Sequence, residues 1–281
     1  MKFHHMMSFI KDGTGGNPAG VVRHADNMTE AEMQEVAAQA GYPETAFICS
    51  STIATLRVLF FTPTQPVDLC GHATIALLSL LQEEGRLPIG HHSIETLAGT
   101  LPIEVRNDGT VFYSQMLPTF LDEIVEKRDI AQVLGVSLEV IDAKPQIVRT
   151  VSTDMRDMIV PIASVKALGS IKPDMEKIAT SSKLHDVAGM HLYALDDSDD
   201  KPVIVCRNFS PAVGIPEEAA TGTLCGVTAC ALKREKKVAQ DTMIFHQGEA
   251  VGSPSEILVT VKMHDSRVCE VWVGGRARQR G

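Results

Sequence analysis

Two segments of this chain, 151 residues apart, follow the same plan of a polar loop, a turn of small residues and an apolar helix. The first is PVDLCGHATIALLSLLQEEG (66–85), and the second is EEAATGTLCGVTACALKREKK (217–237). Gly71 and Gly222 stand 151 residues apart, and Gly99 and Gly252, in the strand–turn–strand patterns that follow, stand 153 apart. Two landmarks that agree this closely predict an internal duplication, with coincidental glycine matches as the alternative.

The helix of the first segment, predicted for His72–Glu84, carries apolar side chains on nearly every face, which is typical of a buried helix. Gly85 is expected to end it. A second helix is predicted from cap candidates at 27–29 to Ala40, and a loop at Thr62–Pro66, where two prolines block ladder bonding. Strands are predicted around these helices at Lys2–Phe9, Ala19–Arg23, Glu44–Cys49 and Leu56–Phe61.

The order of these elements indicates an α+β fold with two pseudo-symmetric lobes, each consisting of strands wrapped round a central helix. The N-terminal lobe is predicted to cover residues 1–117 plus about 268–281, because the closing strand Cys269–Val273 crosses back to it. The C-terminal lobe is predicted to cover residues 118–267. A helix N-terminus carries free N–H groups that attract anions, so two such termini facing each other would form a cleft for a small acid.

The composition excludes several functional classes. The 281 residues carry a net charge of −9, which disfavours a protein that binds nucleic acid. No apolar run approaches the roughly 20 residues that a membrane span needs, and the N-terminus lacks the apolar stretch of a signal peptide. The chain is therefore expected to be cytoplasmic, with its six cysteines reduced.

Metal and cofactor motifs are missing from the sequence. His4 and His5 are adjacent, as are His91 and His92, and adjacent residues of a strand point to opposite faces, so neither pair can chelate one ion. There is no HExxH, paired CxxC, Walker A or dinucleotide-binding fingerprint. No metal and no cofactor are therefore predicted.

Six motifs, in one order along the whole chain, resemble the PhzF-like family of phenazine biosynthesis. They are GNPAGVV (16–22), ETAF (44–47), FTPTQPVDLCGHAT (61–74), VSTDMRDMIVPI (151–162), GIPEEAATGT (214–223) and QGEAVGSPSEI (247–257). The resemblance implies the diaminopimelate-epimerase type of fold, with the active site between the two lobes. It also implies an isomerase without metal or cofactor that acts on a small carboxylated molecule, usually as a homodimer.

The resemblance assigns roles to individual residues. In this family an acidic residue of the S/P-E-T motif acts as acid/base, and Glu44 stands at that position. His72 matches the histidine of the CGHAT motif. Glu218 and Thr223 stand where the family has aspartate and serine, so acid and hydroxyl are kept while the pocket changes size. The substrate of the phenazine enzyme therefore cannot be transferred to this chain.

The chemistry expected of these residues is proton transfer. Burial near Tyr42 and Pro43 is expected to hold the pKa of Glu44 near the working pH, unless Glu44 is an exposed strand-edge residue. His72, in the first turn of its helix, is expected to be neutral and to bind the substrate carboxylate or carry a proton, unless it only caps the helix. It is also expected to pair with Glu218.

The remaining candidates are expected to hold the substrate or the loops around it. Donors for the substrate acid are predicted at Asn17, Gly71, Thr221, Gly222 and Thr223. Asp68 is the candidate for orienting the loop before the first helix, and Glu217 is the weaker of two adjacent acidic residues.

Two alternatives to a glutamate-based isomerase stay open. Cys70 lies just before a helix N-terminus, where a thiolate is favoured, and a racemase that uses it would need a second cysteine. The duplication places Thr221 opposite Cys70, while Cys225, one helical turn further on, is expected to pack in the core. The other alternative is a protein of the same fold that binds a small acid without turning it over, which the Glu218 and Thr223 replacements would permit.

Overall fold

The computed structural model describes residues 2–121, 125–141, 149–152, 155–196 and 203–280. The chain divides into two compact units, one formed by Met1–Ser114 with Trp272–Gly281 and the other by Gln115–Val271. Each unit combines strands with a long buried helix, so the predicted α+β class is confirmed. None of the helices in the described ranges is both long enough and apolar enough to cross a membrane.

In the first unit, most strands pair antiparallel with the next strand along the chain, and two pairs of strands are parallel. Its strands are β1 (Lys2–Ser8), β2 (Asn17–Arg23), β3 (Thr45–Cys49), β4 (Leu56–Phe61), β5 (Pro66–Val67), β6 (Gly90–Thr96), β7 (Gly99–Val105) and β8 (Val111–Gln115), whose last residue belongs to the second unit, and its helices are α1 (Glu30–Ala40) and α2 (Gly71–Glu83). The pairs β2–β3 and β4–β6 are parallel, with α1 and α2 respectively in the connections between them.

Helix α2 is the centre of the first unit. All ten residues from His72 to Leu81 are buried, as the apolar pattern predicts, and the helix begins one residue earlier than expected. After α2 ends, Gly85 adopts a left-handed φ of 68° and donates its N–H to the Gln82 carbonyl at 2.9 Å. This conformation favours glycine, which explains why the helix stops there.

Two other local predictions have different outcomes. Thr29 begins α1 through a reciprocal capping box, in which its hydroxyl accepts from Glu32 N and the Glu32 carboxylate accepts from Thr29 N. The prediction of a loop through Pro66 is wrong, because Pro66 pairs with Phe61 in the short hairpin β4–β5. Proline is tolerated there because it stands at the first position of an edge strand, where its missing N–H costs no ladder bond.

The second unit is built in the same manner. Its strands are β9 (Thr119–Phe120), β10 (Arg149–Ser152), β11 (Arg156–Pro161), β12 (Met190–Asp196), β13 (Val203–Ser210), β14 (Ile215–Glu218), β15 (Thr242–Gln247), β16 (Ser255–His264) and β17 (Arg267–Gly275), and its helices are α3 (Lys127–Leu134), α4 (Val165–Ser170), α5 (Met175–Leu184) and α6 (Gly222–Arg234). The last four residues of β17 belong to the first unit, as does β18 (Ala277–Gln279), which pairs with β1. In the VSTDMRDMIVPI motif, residues 153 and 154 lie outside the described residues.

The duplication predicted from the sequence is visible in the two central helices. Helices α2 and α6 each contain 13 residues, and they begin at Gly71 and Gly222, the two glycines that the repeat aligns. Gly99 and Gly252, the second pair, both have positive φ and lie where one strand of a hairpin passes to the next. Helix α6 is also buried, from Leu224 to Leu232.

Candidate active site

Glu44, Cys70 and His72 come together in the first unit. Glu44 immediately precedes β3, Cys70 is the N-cap residue of α2, and His72 is in the first turn of that helix. His72 Nε2 lies 3.1 Å from Glu44 Oε2, and Cys70 Sγ lies 3.4 Å from His72 Nδ1. The side chain of Glu44 is 23% exposed and that of His72 is 9% exposed, so the alternative of an exposed edge glutamate is wrong.

The two ionisable partners shift each other's pKa. Burial raises the pKa of Glu44, but the hydrogen bond and charge of His72, with a smaller contribution from Cys70, outweigh burial and hold the pKa below its ordinary value of 4.5. Burial lowers the pKa of His72, but Cys70 and Glu44 together raise the pKa well above 6.5. The expectations that the pKa of Glu44 lies near the working pH and that His72 is uncharged are therefore wrong. At neutral pH the pair consists of a carboxylate and an imidazolium.

Burial and the interaction with His72 act in opposite directions on the pKa of Cys70. Its side chain is buried, and burial raises the pKa of the thiol above 9.0 although His72 acts in the opposite direction. The position before a helix N-terminus does not compensate for that burial. The thiolate that a cysteine-based racemase needs is therefore disfavoured in the free protein.

Hydrogen bonds from two hydroxyl groups fix the start of α2. Ser8 Oγ donates to the His72 carbonyl oxygen at 2.7 Å, and Thr74 Oγ1 donates to the Cys70 carbonyl oxygen at 2.7 Å. Asn17, buried at the start of β2, pairs with Ser8 in the ladder between β1 and β2. Asp68, in contrast, is exposed on the turn before α2. The sequence missed Ser8, because a lone serine in a strand carries no signal.

Gly71 is required by the close approach of Tyr113. A Cβ atom at Gly71 would overlap Tyr113 Oη and would lie 3.0 Å from Cζ, and the tyrosine side chain is only 2% exposed. The ring therefore has little room to move aside.

We expect Gly71→Ala to lower the free energy of unfolding by about 1–3 kcal/mol, the usual cost of overpacking, as measured by urea unfolding. Adding Tyr113→Phe should recover part of the loss, because it removes the nearest atom. Gly169→Ala is the control, since a Cβ atom there meets nothing within 4 Å. Equal effects at Gly71 and Gly169 would contradict the explanation.

In the second unit, Gln247 ties the turn before α6 together. Thr221, the N-cap residue of α6, donates its hydroxyl to Glu218 Oε2 at 2.6 Å and its N–H to Gln247 Oε1 at 3.2 Å. Gln247 Nε2 donates to Glu218 O at 2.8 Å and to Thr221 Oγ1 at 3.0 Å. Both donors of Thr221 are engaged, so this residue links the turn instead of offering a donor to a substrate. Gln247 was missed as a site residue, although the motif QGEAVGSPSEI contains it.

The other predicted residues of this turn lie where their sequence order places them. Gly222 is buried at the first position of α6, and Thr223 follows it, its carbonyl oxygen accepting from Gln115 Nε2 at 3.1 Å. Glu218 ends β14. The pairing of Glu218 with His72 joins residues of different units and stays a prediction.

Glu217 has a structural partner, which explains why it is the weaker acidic candidate. Arg207 donates Nε and Nη2 to the two carboxylate oxygens of Glu217 at 2.8 and 2.9 Å, and its Nη1 donates to the Ile171 carbonyl oxygen at 2.7 Å. Their side chains are 10% and 9% exposed. A carboxylate whose two oxygen atoms both accept hydrogen bonds from a buried guanidinium is not available to bind a substrate.

Within the described residues, two groups bring three metal-ligand atoms within 4.8 Å of one another. One is Glu44, Cys70 and His72, and the other, in the second unit, consists of His191, Cys206 and Cys225. In the first group the carboxylate and the imidazole carry opposite charges and lie 3.1 Å apart. In the second group burial raises the pKa of the Cys225 thiol, but Cys206 and His191 outweigh burial and hold that pKa below its ordinary value of 9.0.

Comparison with known proteins places the chain in a family. The chain matches the model of the family described as Phenazine biosynthesis-like protein over residues 6–279. A protein of Deinococcus radiodurans named as an uncharacterized isomerase is 34% identical over 276 residues, which cover 93% of this chain and 87% of that protein. The crystal structure of a PhzF family protein of Bacillus anthracis is 30% identical and covers 99% of this chain and 97% of its own, with a TM-score of 0.86. Trans-2,3-dihydro-3-hydroxyanthranilate isomerase of Pseudomonas aeruginosa is 26% identical over 95% of this chain and 93% of that protein.

These matches define the class of the protein first, which is that of an isomerase. The chain belongs to the phenazine biosynthesis-like, or PhzF, family, as the six motifs predicted. The residue-by-residue roles carried over from that family remain predictions, and the geometry of Glu44 and His72 bears on them directly.

Proposed function

We propose that this chain is a cofactor-independent isomerase that moves a proton between two carbon atoms of a small carboxylated substrate, with Glu44 as the acid/base. The observation that carries the proposal is the ion pair between Glu44 and His72, 3.1 Å apart at the buried start of α2. A carboxylate that is ionised at neutral pH and largely shielded from water can accept a proton from a bound substrate, as general base catalysis requires.

The proposed step begins with Glu44 as a carboxylate, the form that its lowered pKa favours. Glu44 takes a proton from a carbon atom next to an electron-withdrawing group, and the electron pair of that C–H bond is delocalised into the substrate. The neutral acid then returns the proton to a second carbon atom. Nothing else is consumed, so the product is an isomer.

His72 supports both stages of this transfer. Its raised pKa keeps the imidazolium form, which stabilises the Glu44 carboxylate before the step. Once Glu44 is neutral, the imidazolium is free to donate to the negative charge that develops on the substrate. His72 is thus proposed as the electrostatic partner and not as the base.

The substrate is proposed to be cyclic or amino-acid-like. The relative from Pseudomonas aeruginosa supports this, because its name gives a dihydro-hydroxyanthranilate, a cyclic amino acid, as its substrate. Its carboxylate is proposed to accept hydrogen bonds from the helix starts at Gly71 and Gly222, with Asn17 and Thr223 as further donors. Glu218 replaces the family's aspartate, so the substrate is expected to differ from that of the phenazine enzyme. Homodimer formation and a cytoplasmic location complete the proposal.

A second candidate is a racemase that uses Cys70, which the 3.4 Å contact between Cys70 Sγ and His72 Nδ1 favours. The raised pKa of the thiol opposes it. The two candidates differ in which side chain must be present for exchange of the substrate proton.

Incubation in deuterium oxide with a panel of small amino, hydroxy and cyclic acids tests the proposal, with mass spectrometry to detect deuterium in the recovered compound. We expect at least one acid to gain deuterium, and the Cys70→Ser variant to retain that exchange within about tenfold. Loss of exchange in Cys70→Ser would favour the racemase. Binding of an acid by calorimetry with no exchange in any of the panel would favour a non-catalytic binding protein.

A further inference from the structure

His191, Cys206 and Cys225 form a second cluster that the proposed reaction does not use. His191 lies on β12, Cys206 on β13 and Cys225 in the first turns of α6, all within the second unit. One imidazole nitrogen and the two sulfur atoms lie within 4.8 Å of one another. The three side chains are at most 1% exposed, so solvent does not separate them.

The register of the sheet explains why two of these side chains meet. His191 stands opposite Asn208 in the antiparallel pair β12–β13, and Cys206 is two residues before Asn208 on the same strand. Directly opposed residues, and residues two apart on a strand, share one face of a sheet. His191 and Cys206 therefore lie on one face, and Cys225 reaches the same point from α6.

The hydrogen bonds around His191 fix which nitrogen is free. Asn208 Nδ2 donates to Ser210 Oγ at 3.3 Å, which leaves Asn208 Oδ1, an acceptor only, 3.4 Å from His191 Nδ1. Nδ1 must then carry the hydrogen, and the lone pair of the neutral ring is on Nε2. This nitrogen is buried and forms no hydrogen bond of normal geometry, while the imidazole interacts with the neighbouring Cys225 thiol.

A buried imidazole in contact with two cysteine side chains is an uncommon combination of three good metal ligands. Histidine ligands of metal ions show the same arrangement, in which one ring nitrogen donates to a carbonyl oxygen and the other binds the ion. The ligand atoms of a tetrahedral zinc site are about 3.5–3.8 Å apart, given Zn–S bonds of about 2.3 Å and Zn–N bonds of about 2.0 Å. The three atoms here lie within 4.8 Å of one another, so side-chain movements of about 1 Å would bring them to that spacing.

We propose that His191, Cys206 and Cys225 bind a thiophilic divalent cation, for which Zn²⁺ is the probe. The charges balance, because both cysteines bind as thiolates, whose two negative charges neutralise the ion, and any proton still on a sulfur atom is released on binding. A neutral assembly can be buried at far lower cost than a single charge. The fourth position is left to water, as in zinc sites with three protein ligands.

The ion would hold β12, β13 and α6 together, and so it acts on the stability of the second unit. The proposed site departs from the expectation, drawn from the sequence, that the protein binds no metal. The sequence analysis missed it because its three ligands are 15 and 19 residues apart and match no metal-binding motif. Proton transfer by Glu44 does not depend on it.

Cobalt substitution of the full chain tests the proposal. After treatment with a chelator, addition of Co²⁺ should produce thiolate-to-cobalt charge-transfer absorption that saturates at one ion per chain and is abolished by Zn²⁺. Cys206→Ser and Cys225→Ser should each weaken cobalt binding at least about tenfold, because loss of even an outer-shell partner of a ligand costs about 10- to 100-fold. Cys230→Ser is the matched control, because Cys230 lies on the same helix and is equally buried, and it should leave the spectrum unchanged. Loss of the spectrum in Cys70→Ser instead would assign the ion to the first unit and overturn the proposal.

A second measurement needs no variant and guards against misfolding of the serine variants. In mild denaturant, Zn²⁺ should slow alkylation of Cys206 and Cys225, mapped by mass spectrometry, by up to about 100-fold at a concentration 100 times the dissociation constant. Alkylation of Cys230 should slow much less. Absence of protection, or equal protection of all three cysteines, would overturn the proposal.

Discussion

Replacement of Glu44 by glutamine is expected to lower the rate of solvent-deuterium incorporation by about 100- to 10,000-fold, the range that general acid/base groups contribute. Glutamine keeps the size of the side chain but can neither take nor return a proton. Cys70 and Glu44 both raise the pKa of His72, and the contribution of Glu44 is lost in this variant, so the imidazole should titrate at a lower pH, which NMR of the ring protons can follow.

The control for this prediction is Glu95→Gln. The Glu95 side chain is 25% exposed, close to the 23% of Glu44, and it too lies beside a cationic partner, with Arg57 Nε at 3.6 Å. The Glu95 variant should exchange substrate protons at the normal rate. Normal exchange in Glu44→Gln, with substrate still bound, would remove Glu44 from the reaction.

The second large effect is expected for stability. Replacement of Glu217 by alanine should lower the free energy of unfolding by about 3–5 kcal/mol, because it leaves the charge of Arg207 buried without its partner. Urea unfolding followed by circular dichroism measures the change. Arg207 would keep its hydrogen bond to the Ile171 carbonyl, which is too weak to replace a bidentate carboxylate.

Glu270→Ala is the matched control for this change. Glu270 pairs with Lys262 at 2.8 Å, the same length as the shortest contact between Arg207 and Glu217, but the two side chains are 45% and 55% exposed. An exposed pair of this kind contributes about 0–1 kcal/mol. If both alanine variants lose the same stability, burial does not explain the importance of Glu217.

Those parts of the fold that depend on the local sequence of residues could be predicted. The apolar faces of α2, the capping box at Thr29 and the stop at Gly85 follow from local chemistry, and each is present. Pro66 was misassigned because a proline excludes a central strand but not the first position of an edge strand.

The composition of the site was predictable, but its electrostatics were not. The motifs identify Glu44, Cys70 and His72, yet no sequence pattern states that the three side chains touch one another. The pKa expectations for Glu44 and His72 failed for that reason, since they considered burial or the helix dipole alone and left out the partner, whereas the expectation for Cys70 failed because it left out burial. Contacts between residues distant in the chain, such as those of Gln247 with Glu218 and Thr221, were missed on the same physical ground.

The burial of α2 on all sides limits how the protein can diversify. Its start carries the reactive side chains while the nine residues from Ala73 to Leu81 fill the interior of the first unit, so a shift of the helix would require that interior to be rebuilt. New specificities within such a scaffold are expected to arise from exposed positions such as Asp68, on the turn that leads into the helix. The reacting groups would stay fixed while the binding surface evolves.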